Sequence, residues 1–70
     1  MEFQIIKPGS NTILVSDLQT VERFSESGKR LFKNVPSPKL FRELAYLHPP
    51  EFVHAEDVDE AIQTYLQSDK

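Results

Sequence analysis

The sequence contains no cysteine, which excludes disulfide bonds and thiolate metal ligands and removes the usual marker of an oxidising compartment. Its two histidines cannot form a structural zinc site without carboxylate help. A glycine-rich phosphate loop, a D-x-D-x-D-G calcium loop and a nucleophile elbow are all missing. No apolar run approaches the ~20 residues of a membrane span. The start, MEFQIIKPGS, has no basic region leading into a signal-peptide core, so a cytoplasmic chain without membrane contact is expected.

What remains is a chain of 70 residues, expected to form one domain over residues 1–70 and to bury only ~60% of its unfolded surface. With 39% hydrophobic and 27% charged residues, the composition is that of a soluble globular domain. The net charge of −3 opposes general duplex binding, which needs many lysine and arginine contacts to phosphate. The charge is unevenly placed. Up to Val35, Lys7, Arg23, Lys29, Arg30 and Lys33 oppose Glu2, Asp17, Glu22 and Glu26, a net of +1. From Pro36 onward, Lys39, Arg42 and Lys70 oppose Glu43, Glu51, Glu56, Asp57, Asp59, Glu60 and Asp69, a net of −4.

The clearest periodic signal is Glu51 to Leu66. Val58, Ala61, Ile62, Tyr65 and Leu66 share one side of a helix, which starts nominally at His54 or Ala55. Glu56, Asp57, Asp59 and Glu60 crowd its first turns, where the helix dipole favours carboxylates. Ahead of it, Glu51–His54 reads as a short strand, and Pro49-Pro50 bars a helix from entering. At the other end of the chain, residues 2–7 and 12–15 read as two β-branched strands joined by a type II turn at Lys7-Pro8-Gly9-Ser10. Ser16-Asp17-Leu18-Gln19 has the form of a capping box, so a helix bearing Leu18, Val21 and Phe24 is expected to run to Ser27 before Gly28, or on to Phe32 or Lys33. Lys29 to Pro36 reads as an extended or irregular connector. Ser37-Pro38 then caps a helix that buries Leu40, Phe41, Leu44 and Leu47 and stops at His48-Pro49-Pro50.

These elements predict an α+β fold in which a small N-terminal β-hairpin and a short third strand pack against three helices on one face. The expected core is Phe3, Ile5, Ile13, Val15, Leu18, Val21, Phe24, Leu40, Leu44, Leu47, Phe52, Val58, Ile62 and Leu66. One member each of Ile5-Ile6 and Leu31-Phe32 is expected to face solvent.

Three constellations could carry chemistry. His48, Glu51 and His54 are zinc-competent residue types at regular spacing, but the double proline and the strand splay them apart, so no metal or cofactor is expected. The carboxylates from Glu56 to Glu60 read as a solvated helix start, or as an acidic docking face. Lys29, Arg30 and Lys33, with Lys39 and Arg42 if the connector folds against the next helix, form a basic patch interleaved with Leu31, Phe32 and Phe41. That composition suits solvated surface, a protein contact or a nucleic-acid surface.

With no nucleophile–base pair and little volume for a pocket, the sequence predicts a non-enzymatic module that binds and regulates a larger protein. Leu31 and Phe32 are the expected anchors, Lys29, Arg30, Lys33, Lys39 and Arg42 their basic surround, and Glu56, Asp57, Asp59 and Glu60 a second contact. In size and charge the chain resembles small bacteriophage-encoded regulators that bind host machinery such as RNA polymerase. The alternatives are a compact nucleic-acid-binding transcription regulator and a self-associating docking domain.

Overall fold

The computed structural model describes residues 1–68; Asp69 and Lys70, counted above in the charge of the second half, lie outside them. Four strands come first: β1 (Glu2–Gly9), β2 (Thr12–Ser16), β3 (Val21–Ser25) and the two-residue β4 (Arg30–Leu31). Helix α1 (Pro38–Leu47), strand β5 (Glu51–His54) and helix α2 (Val58–Ser68) follow. The strands form one antiparallel sheet in the order β4-β3-β2-β1-β5. The architecture is α+β, with five strands and two helices.

Side chains alternate between the two faces of a strand, and here both faces are covered. On one, Phe3, Ile5, Ile13, Val15, Phe24 and Val53 pack with Ala55, Ala61 and Ile62, and Val58, Tyr65 and Leu66 of α2 close over them. On the other, Ile6, Leu14 and Val21 pack with Phe41, flanked by Leu44, both from α1. Ile5-Ile6 and Ile13-Leu14-Val15 are therefore buried throughout. This corrects two expectations, that one of Ile5 and Ile6 faces solvent and that the helices share one face.

The expected first helix is strand β3 and its preceding turn. Ser16 and Asp17 do accept amide hydrogen bonds, but they close a hairpin. The Leu18 amide donates to Ser16 Oγ at 3.0 Å, and the Gln19 and Thr20 amides donate to Asp17 Oδ1 at 2.9 and 2.8 Å. Leu18 adopts φ +80°, outside any right-handed helix. Residue types that cap helices also build such turns. The three-residue spacing of Val21 and Phe24 misled for a related reason. In a strand it sends them to opposite faces, and both are buried because each face has its own helix.

The Asp17 carboxyl is held below its ordinary pKa, chiefly by the Thr20 amide and then the Gln19 amide, with burial opposing them. A depressed folded pKa contributes stability that is present above the unfolded value of about 3.9 and is lost as pH falls through the folded value. Asp17→Asn keeps an acceptor oxygen but no titrating charge. The stability advantage of the wild type over this variant is therefore expected to be constant near neutrality and to shrink below about pH 4, as read from urea midpoints across an acid series. A gap unchanged down to about pH 2 would contradict this.

The hairpin between β1 and β2 also departs from expectation. β1 runs on to Gly9, which pairs with Thr12, and the register shifts between Ile6 and Gly9. One extra residue is thus accommodated as a bulge around Pro8, where a missing amide is tolerated. Gly28 is the only glycine among the described residues with positive φ, at +94°, so the left-handed conformation needed for a Lys7–Ser10 type II turn is absent at Gly9. At Gly28 an added Cβ would stand 2.8 Å from Leu66 Cδ1. Both its φ and the approach of α2 to the β3–β4 turn thus favour glycine there.

α1 begins as read, with the Leu40 amide donating to Ser37 Oγ at 3.2 Å and Pro38 in the first turn. α2 begins later than expected. Asp57 is its cap, accepting from the Glu60 amide at 2.8 Å, while Glu60 Oε1 accepts from the Glu56 amide at 2.7 Å. The expected core is corrected at four places: Leu18, Leu40, Leu47 and Phe52 are exposed. Leu40 and Leu47 lie to one side of the line through Phe41 and Leu44 that meets the sheet. Phe52 falls on the opposite parity to buried Val53.

Candidate protein-interaction surface

β3 and β4 fix the basic segment. Arg23 pairs with Leu31 and Phe24 with Arg30 across the ladder, so Arg30 lies on the α2 side of the sheet and Leu31 on the α1 side. The Arg30 guanidinium sits 5.3 Å from the centroid of the Phe24 ring. It reaches Asp59 Oδ1 at 2.9 Å through Nη2. Its Nε lies 2.8 Å from Glu22 Oε1, a charge contact without the alignment of a hydrogen bond. Arg30 is thus turned inward, linking the start of α2 to the sheet edge. Each of these partly exposed ion pairs contributes at most about 1 kcal/mol.

The structure therefore brings together two regions that the sequence treats as separate, the basic segment and the acidic helix start, and joins them within the molecule. Asp59 is paired with Arg30, and Asp57 and Glu60 cap α2. Glu56 is exposed at the same end. Lys29 and Lys33 are exposed on either side of β4. The Lys33 carbonyl accepts from Arg23 Nη1 at 2.8 Å, which fixes the path of the segment after β4.

Phe32 follows β4 and is 84% exposed, whereas Leu31 is half-buried in the ladder. Asn34, two residues on, has φ +59°, a conformation asparagine tolerates better than most residues. The turn it makes directs the chain from Phe32 towards α1.

On α1, Lys39, Arg42 and Tyr46 stand at i, i+3 and i+7, along the side facing solvent. Tyr46 is 89% exposed and lines an open depression with Arg42 and Ala45. Leu47, 76% exposed, lies on the adjoining flank with Leu40. Tyr46 was not among the residues singled out from sequence. The signal for it was its position about 140° around the helix from Phe41, which takes it away from the sheet. His48 caps the end of α1, and β5 sends Glu51 and His54 to opposite faces, as their spacing in a strand requires.

No helix among the described residues is long and apolar enough to cross a membrane. The chain matches no protein-family model, no curated protein and no solved structure.

Proposed function

We propose that the chain is a non-enzymatic module that binds a larger protein in the cytoplasm and regulates it, with Phe32 as the principal apolar anchor. The observation that carries this reading is the 84% exposure of Phe32, in a fold that has already covered both faces of its sheet. A phenylalanine held almost wholly in water by an ordered turn contributes little to the fold and offers a large apolar area to a partner. Lys33 beside it, and Lys29, Lys39 and Arg42 elsewhere on the surface, supply cationic groups for orientation and rapid association. Arg30, Asp57, Asp59 and Glu60 have structural partners, which leaves Glu56 as the freer member of the acidic contact. Leu31 has a secondary place, since it is half-buried in the ladder. The likeness in size and charge to phage regulators makes a subunit of a transcription machinery the first partner to try.

The test is affinity capture from lysate with nuclease present, comparing wild type with Phe32→Ala. One protein retained by the wild type and at least about tenfold depleted with the variant, a loss of about 1.4 kcal/mol, is the expected outcome. Equal retention by a folded variant would contradict the anchor. Capture abolished by nuclease would transfer the role to nucleic acid.

A further inference from the structure

β5 is the outer strand on the side of the sheet away from β4. Its hydrogen-bond parity follows from one contact, the Ala55 amide donating to the Met1 carbonyl at 2.9 Å. In an antiparallel ladder the bonded pairs alternate. With Phe3 opposite Val53 and Ile5 opposite Glu51, those pairs are bonded, and the amide and carbonyl groups of Phe52 and His54 point outward. No hydrogen bond within the described residues engages these outward groups. The same parity places the Phe52 and His54 side chains, both exposed, on the α1 side of the sheet. A free edge of this kind is a template for another strand.

We propose that the β5 edge takes up an extended, basic segment of another protein as a sixth strand. Charge selects this occupant. Glu2 and Glu51 are exposed along β1 and β5, Glu56 and Asp57 are exposed just beyond Ala55, and Lys7 is the one lysine of β1. A second copy fits less well. Antiparallel pairing centred on Val53 would set Glu51 of each copy opposite Ala55 and next to Glu56 of the other, concentrating like charge. A segment alternating apolar and cationic residues places its apolar side chains beside Phe52 and its cations beside Glu51 and, past Ala55, Glu56. This surface lies at the opposite sheet edge from Phe32 and has only Glu56 in common with the proposed interaction surface, so the inference does not depend on the Phe32 anchor.

A synthetic peptide of alternating lysine and valine is the probe, followed by amide chemical shifts of the full chain. The expected result is saturable binding with the largest shifts at Phe52 and His54, weakened by salt. The same peptide N-methylated at alternate residues keeps its charge but loses the bonding edge, and is expected to bind at least about tenfold more weakly. A glutamate–valine peptide is expected not to bind. The proposal would be overturned by no binding of the lysine–valine peptide, by equal binding of the methylated one, or by shifts lying away from β5. His54→Pro, which removes one outward donor at an edge position that tolerates proline, is a second check. Unchanged affinity in this variant, once folded, would also count against the proposal, as would a dimer formed through β5.

Discussion

Phe41→Ala is expected to destabilise the fold by about 3–5 kcal/mol, the usual result of truncating a buried aromatic side chain. Phe41 is 1% exposed and is the one residue of α1 that is fully buried. It fills the space against Ile6, Leu14 and Val21, and without it α1 would hold the sheet mainly through half-buried Leu44. A chain this short has a total stability of only about 4–10 kcal/mol at typical values per residue, so the variant is expected to be partly unfolded at ambient temperature. Urea titration followed by circular dichroism reads the effect. Leu47→Ala, on the same helix but facing solvent, is the control and is expected to fall within about 0.5 kcal/mol of wild type. A near-neutral Phe41→Ala would mean that α1 is rotated from its described position.

Ile62→Ala is expected to cost about 2–5 kcal/mol through the opposite face. Ile62 is buried in the cluster that α2 makes with Phe3, Ile5, Ile13, Val15 and Phe24. The two clusters are separated by the sheet, so milder changes in each are expected to add. Phe41→Leu and Ile62→Val together are predicted to cost the sum of the single changes within about 0.5 kcal/mol. Strong coupling would indicate that the helices share one cluster. A neutral Ile62→Ala would show that the apolar stripe of α2 is turned away from the sheet.

Much of the second half of the fold was legible because local signals there agreed with one another. Ser37-Pro38, the proline pair after His48, the strand at Glu51–His54 and the stripe from Val58 to Leu66 each have a single physical reading. The first half was less legible because the local chemistry was ambiguous. Ser16 and Asp17 bind amides equally well in a helix cap and in a hairpin turn, and Val21 and Phe24 fit a helical stripe or two faces of a strand. The fact that decides between them is non-local: β2 is buried on both faces and needs a neighbour. Adjacent Ile5-Ile6 and the run Ile13-Leu14-Val15 were its trace in the sequence, since a strand covered on both sides carries continuous apolar residues.

The candidate surface was legible in part for the same reason. Phe32 stood out as an apolar residue among cations, and it is exposed. The inward turn of Arg30 depends on Asp59, 29 residues further along the chain, and no local pattern could reveal that pairing. Phe52 belongs to the core only on the expectation of a single buried face. Its exposure follows from the pairing register of β5, which only the assembled sheet defines.

Phe32 lies outside the core, and the most direct test of this is the urea unfolding free energy of Phe32→Ala against wild type. A difference within about 0.5 kcal/mol is expected, as for a surface substitution away from packed groups. A loss of about 2 kcal/mol or more, the range of buried large-to-small changes, would show that Phe32 holds the fold together and would contradict its place outside the core.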